Sequence, residues 1–301
     1  MRLRLCLLFF ALWIIQLDSF AQTDTTFWFA APDLQQAHGD RPILLRFSTG
    51  ASPATVTVSI PANTWFTPIT INIPANSSQS LDLTPYINEI ENSVVNAVEN
   101  RGLKVSSTAM VSCYYDIAHG YNGDIYALKG ANGLGFKFTL PFQMAFVGAG
   151  LPGYTCTFSI VASEDNTIVT ITPKNDLLGH AAGVPFSDTL NKGQTYTCQA
   201  AYDNPAQRPG GSVVTSNKPV AISTKDDTLR YPGYGCGDTA GDQLIPDCNA
   251  GTTFVIPKGQ LNGADYYYVF AVNNNIDISD ISFKTIINNA LFIVHIDSVC
   301  Y

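Results

Sequence analysis

Thr25-Thr26-Phe27-Trp28-Phe29-Ala30-Ala31-Pro32 is the stretch on which the fold turns. Two later stretches share its look, Gly135-Phe136-Lys137-Phe138-Thr139-Leu140-Pro141 and Gly251-Thr252-Thr253-Phe254-Val255-Ile256-Pro257. Each of these closes a group of four strand-like runs, whereas residues 25–32 have no group before them. A solitary outer strand at a terminus is what a ring of blades needs to close on itself. The expected architecture is therefore all-β, most simply a β-propeller.

Working outward, short runs rich in Val, Ile, Thr, Phe and Tyr, bounded by Gly, Pro, Asn and Asp, read as strands and hairpins. They collect into antiparallel four-stranded units at intervals of about 55 residues, over 44–83, 103–141, 156–200, 212–257 and 266–301. The second and fourth units share a first-hairpin pattern, Val105-Ser106-Ser107-Thr108-Ala109-Met110-Val111 against Val214-Thr215-Ser216-Asn217-Lys218-Pro219-Val220. They also share the spacing of Leu128 to Gly135 and Leu244 to Gly251. The other units turn on Ser52-Pro53-Ala54, Glu164-Asp165-Asn166-Thr167 and Asn273-Asn274-Asn275. The full repeat is then a pair of units, and tandem β-sandwiches of about 110 residues are the alternative architecture. The solitary strand resembles the outer strand of an even unit, and the last unit is odd. A propeller of five units truncated from six is the reading that follows, and a five-unit ring closed by the solitary strand against the last unit is the alternative. One segment breaks the β pattern. After Thr84-Pro85, the residues Tyr86, Ile87, Ile90, Val94 and Val98 approximate a helical face as far as Asn100, with Thr84 as N-cap.

Residues 1–21 read as a signal peptide: Arg2 and Arg4, an apolar run from Leu5 to Ile15, then Ser19-Phe20-Ala21 before Gln22. The apolar run is too short for a good membrane span. Cys6 lies inside that run, which argues against a lipoprotein anchor. The mature chain, 22–301, is expected to be secreted or displayed at the cell surface, with no insertion into a membrane. Without Arg2, Arg4 and Asp18 it holds 14 basic and 23 acidic residues, a net charge of −9. That balance argues against nucleic acid and anionic membranes as partners. Charged residues are 13% of the chain, against about 25% in ordinary domains, and neutral polar residues take their place.

Six cysteines remain after the leader, and an even number in an exported chain permits disulfides. Cys236 and Cys248 share one Gly/Asp-rich loop, and Cys156 and Cys198 fall on the first and last strands of one unit. These are the two candidate pairs; buried free thiols are the competing reading. The same loop carries Asp226, Asp227, Asp238 and Asp242, hard oxygen ligands of the kind that hold Ca²⁺. Asp in turn positions of a solvated loop is the plainer reading. Tyr231 and Tyr234 are candidate ligand contacts. No histidine has metal-ligand spacing, and there is no nucleophile elbow or phosphate loop. No cofactor is implied, and no catalytic residue is assigned. A carboxylate-pair glycosidase would need acids such as Asp124, Glu164, Asp226 and Asp242 around one mouth.

Several stretches together resemble the N-terminal domain of the IgG Fc-binding protein family. They are residues Glu164 to Pro173, Leu190 to Tyr196, Gly211 to Ala221, Gly241 to Pro246 and Gly251 to Pro257. The resemblance covers nearly all of the mature chain. It implies an extracellular, non-enzymatic recognition or adhesion module with a protein or glycan ligand; no site residue is carried over from it. The Ser-Phe-Ala-Gln end of the leader looks bacterial, of the Gram-negative kind. Bacterial members are typically large surface proteins, which implies further domains C-terminal to Tyr301. The alternatives are a carbohydrate-active enzyme and a structural spacer.

Overall fold

The computed structural model describes residues 22–34, 39–144, 147–148, 154–230, 237–250, 253–257, 282–285 and 291–295. The strands are β1 (Thr23–Phe29), β2 (Ala31–Pro32), β3 (Ile43–Thr49), β4 (Ala54–Ser59), β5 (Ile69–Ile73), β6 (Ser78–Asp82), β7 (Glu91–Asn92), β8 (Val98–Glu99), β9 (Leu103–Ile117) and β10 (Asp124–Ala127). They continue as β11 (Gly135–Thr139), β12 (Val147–Gly148), β13 (Cys156–Ala162), β14 (Thr167–Thr172), β15 (Phe186–Leu190), β16 (Thr195–Gln199), β17 (Val213–Arg230) and β18 (Gly237–Gln243). Last come β19 (Thr253–Pro257), β20 (Ser282–Thr285) and β21 (Leu291–His295), a three-stranded sheet with β21 in the middle.

Two long strands organise the rest. One edge of β9 pairs with β4 along its first half and β3 along its second; the other edge pairs with β1 and then β10. β5 and β6 lie outside β4 and β3. β17 follows the same plan. It holds β14 and β13 on one edge and β11 and β18 on the other, with β15 and β16 outside. β12 adds a short pairing at the end of β17.

Each long strand takes a corner at its middle. From Asp24 to Thr26, β1 moves two positions while β9 moves from Val111 to Ser106. From Gly135 to Lys137, β11 moves two while β17 moves from Val220 to Thr215. The surplus residues form a bulge, which bends a strand and re-aims its second half. The two corners are built alike. The Ser107 hydroxyl donates to Ala109 O and the Ser216 hydroxyl to Lys218 O, both at 2.7 Å. Thr108 Oγ1 accepts from Thr55 N at 2.9 Å, and Asn217 Oδ1 accepts from Ile168 N at 2.7 Å.

The matching stretches Val105–Val111 and Val214–Val220 are therefore corners of continuous strands and not the expected hairpins. The four-stranded grouping changes with them. Residues 135–139, read as the outer strand of the unit at 103–141, pair with β17. Of the solitary stretch at 25–32, Thr26 to Phe29 pair with β9 in the same way, and Ala31–Pro32 pair with β7. The strand spans at 44–83 and 156–200 agree with the sequence reading to within two residues at each end.

The helix expected over 85–100 is cut to one turn, α1 (Ile87–Ile90). Glu91 turns extended and pairs with β2, which ends the helix. Val94 and Val98 are exposed, so they form no buried helical face. Thr84 is not an N-cap; its hydroxyl oxygen accepts from Ile43 N at 3.0 Å.

The alternation of the strands fills one core around each long strand. Around β9, Phe27, Phe29, Leu45, Phe47, Val56, Val105 and Tyr115 are buried together. Phe29 meets the rings of Tyr115 and Tyr126 at centroid distances of 5.0 and 5.6 Å, which ties β1 to the second half of β9 and to β10. Around β17 the counterparts are Phe138, Phe158, Ile160, Val169, Ile171, Val214 and Ile222. Each such side chain contributes about 1.5–3 kcal/mol by leaving water.

Candidate functional site

The two cores meet along a seam. Its apolar part is small: Trp28 near the end of β1 and Ala30 just after it pack on Val161 and Ala221. The rest is polar and ranges from buried, at Ser223, Lys225 and Gln243, to half-exposed at Asp242. The Ser223 hydroxyl donates to Ala30 O, and Lys225 Nζ donates to Asp33 O at 2.6 Å and to Thr155 Oγ1 at 2.5 Å. Gln243 Nε2 donates to Trp28 O at 2.6 Å, and its Oε1 accepts from Lys129 N at 2.7 Å. Asp242 accepts from Ala127 N and pairs with Lys129 Nζ at 2.7 Å. In the other direction, Gly241 N donates to Asp124 Oδ2 at 2.8 Å. β18 is thus laced to β10 by side chains. β8 adds main-chain pairing to β16 at the far end of the contact.

Two carboxyls in this region are perturbed. Burial pushes the Glu91 carboxyl up to about 9, and the nearby charges of Asp33 and Asp40 add to the rise. Glu91 is therefore neutral at pH 7. Burial also raises Asp124, to about 6, with Asp238 and Asp242 contributing. Behind the seam lies a buried ionic knot on β17. Asp226 pairs with Arg208 Nε at 2.9 Å, and accepts from Gln143 Nε2 at 2.8 Å and from the Tyr154 hydroxyl. Burial pushes the Asp226 carboxyl up, and Arg208 pulls it back. Arg208 also reaches Asp203 at 3.2 Å.

The four aspartates proposed as calcium ligands are placed in different surroundings. Asp226 belongs to the Arg208 knot and Asp242 to Lys129. Asp227 is buried 3.3 Å from the Thr239 hydroxyl, which also lies 2.9 Å from Asn122 Oδ1. Asp238 accepts from the Thr239 amide beside it. Among the described residues no group of three or more His, Cys, Asp or Glu is arranged to hold a metal ion. Nor do the acids share one mouth: Asp124 starts β10, whereas Glu164 sits in the turn from β13 to β14.

The expected Cys156–Cys198 link is not formed; both are buried free thiols. The register explains it, because Cys198 stands opposite Phe158 and not Cys156. Cys248 is an exposed free thiol, and Cys236 lies outside the described residues. Tyr231 and Tyr234 lie outside them too. The connection that carries them joins β17 to β18, as residues 118–123 join β9 to β10. In that equivalent loop Tyr121 is 90% exposed, and its amide donates to His119 Nδ1 at 3.3 Å. Asn122 and Asp124, which follow it, are both fixed to β18. Lys225, Arg208 and Tyr121 escaped the sequence reading. Residues 220–227 are buried without alternation, so nothing local marks Lys225 as buried; the partners of Arg208 and the exposure of Tyr121 leave no local trace either.

Comparison with known proteins adds the following. The family model described as IgGFc binding protein matches residues 135–289. No curated protein sequence matches. Among solved structures, a Bacteroides uniformis beta-glucuronidase is 13% identical at a TM-score of 0.16, covering 77% of this chain and 26% of that one. A Bifidobacterium dentium beta-glucuronidase is 7% identical at a TM-score of 0.17, covering 78% and 40%. The chain spans well under half the length of these enzymes, and likenesses at such scores carry no argument. The family match takes in β11 through β20, hence all of the β17 sheet except β8, with its corner, its buried ionic knot and its side of the seam. On that match the chain belongs to the IgGFc binding protein family.

Proposed function

We propose that this chain is a non-enzymatic recognition or adhesion module that works outside the cell and contacts a protein ligand through the Tyr121 loop. The observation that carries the reading is Tyr121 itself, an almost fully exposed aromatic on a loop whose next residues are anchored across the seam. A rigidly presented tyrosine offers contact area at little cost in conformational entropy. The reading includes removal of the leader at residues 1–21, export to the cell surface, and further domains after Tyr301 in the full-length protein. It takes the two corner-strand sheets as tandem β-sandwiches of about 110 residues. The family description makes immunoglobulin Fc the first ligand to try.

The test is biosensor binding of the immobilised chain to Fc, then to a mucus glycoprotein fraction. Saturable binding to either that Tyr121→Ala weakens roughly tenfold supports the proposal. Absence of binding to both, or turnover of nitrophenyl glycosides by the purified chain, counts against it.

A further inference from the structure

We infer that the loop between β4 and β5 is a separate binding site for a neutral saccharide, with Trp65 as its stacking platform. Two adjacent aromatics have opposite fates there. Phe66 is 9% exposed and packs edge-on against Tyr86 at a centroid distance of 5.4 Å. Trp65 beside it is 93% exposed. An indole is among the largest apolar side chains, and burial is its usual fate.

The loop is not free to fold Trp65 inward. Asn63 N donates to Ile60 O at 2.9 Å and Phe66 N to Asn63 O at 3.2 Å. Trp65 N donates to Asn63 Oδ1 at 3.1 Å. The loop is also braced from the other sheet. A Cβ added at Gly193, in the turn before β16, would lie 2.9 Å from Ala62 N and 3.1 Å from Pro61 Cβ. The backbone that carries Trp65 is therefore fixed, with the indole outside the core, before any ligand arrives, which spares the loop's share of the entropy lost on binding.

The surroundings choose between ligand classes. A protein hot spot is ringed by contacts that exclude water. The residues that flank Trp65 and Phe66 in the loop are instead Asn63, Thr64 and Thr67, all neutral and polar. Carboxamides and hydroxyls can donate and accept, as sugar hydroxyls do. The face of a pyranose ring carries the C–H groups that stack on an indole. A flat aromatic among neutral hydrogen-bonding groups fits an uncharged sugar better than an acidic one or a protein surface.

This site does not depend on Tyr121, and the test keeps the two apart. The full chain, W65A, W65F and Y121A are run through native gels that contain dextran, galactomannan or arabinogalactan. The expected result is retardation of the parent by at least one polysaccharide. W65A should lose it by roughly tenfold in apparent affinity, W65F should keep part of it, and Y121A should keep all of it. Fluorescence gives a second reading, because Trp28 is 5% exposed and Trp65 is the accessible indole of the described residues. The retarding polysaccharide should quench the parent and leave W65F unchanged. No retardation in any of the three gels, or retardation that survives W65A, overturns the site.

Discussion

At the scale of single residues, the buried charges set the sharpest expectations. Arg208 is fully buried, and its guanidinium meets Asp226 and Asp203. Removing one partner of a buried pair leaves the other charge uncompensated and costs about 3–5 kcal/mol. Asp226→Ala should lower stability by that amount in urea unfolding; a loss below about 1 kcal/mol would mean that the pair matters little. Asp124 gives a pH dependence. Its carboxyl titrates near 6 in the folded chain, above its ordinary 3.8. Between those values the folded chain holds a proton that the unfolded chain has released. Stability is therefore highest in mild acid and falls as pH rises through 6. Asp124→Asn keeps an acceptor for Gly241 N and removes the titration. At pH 8 it should exceed the parent by on the order of 1 kcal/mol, reduced for the carboxyl's partial exposure, and at pH 4 the two should match.

At the scale of elements, the corner is the part to test. The matching hydrogen bonds place Met110 where the second corner has Pro219. Met110→Pro should then cost less than about 1 kcal/mol, whereas Val105→Pro should cost about 3 kcal/mol or more. Val105 is paired on both sides, with Phe27 and with Val58, and loses ladder bonds. Thermal unfolding of the two variants decides it. The corner also explains how far the sequence could be read. Runs rich in Val, Ile, Thr, Phe and Tyr, bounded by Gly, Pro, Asn and Asp, mark β3 to β6 and β13 to β16 to within two residues at each end. Ser107-Thr108-Ala109 and Ser216-Asn217-Lys218-Pro219 look like hairpin turns because a polar, small-residue break is the local signature of both a turn and a bulge. Which one forms depends on β1 and β11, strands that arrive from far along the chain. Ile87 and Ile90 begin a true helical turn, and only the tertiary pairing of Glu91 stops it. The Asp226 knot was hidden for a similar reason: its partners Gln143 and Tyr154 lie 83 and 72 residues away.

At the scale of the whole molecule, the seam decides whether the two sheets behave as one. Its bonds are buried or partly buried and many use main-chain groups, so the β9 and β17 sheets should unfold in a single calorimetric transition. Gln243 serves two backbone groups at once, Trp28 O and Lys129 N. Gln243→Ala strands both, at about 1–3 kcal/mol each, and should split the transition into two; an unsplit transition would place the coupling elsewhere. The seam is also lopsided. Ser223, Lys225, Gln243 and Asp242 of the later sheet all reach main-chain atoms of the earlier one, at Ala30, Asp33, Trp28, Lys129 and Ala127. Main-chain atoms are the same whatever residue carries them. A sheet that docks this way senses the path of its predecessor's backbone as well as a few of its side chains, Asn122, Asp124 and Lys129 among them, so neighbours in a series that keep those few can diverge elsewhere, or be exchanged for one another, without the joint having to be reinvented.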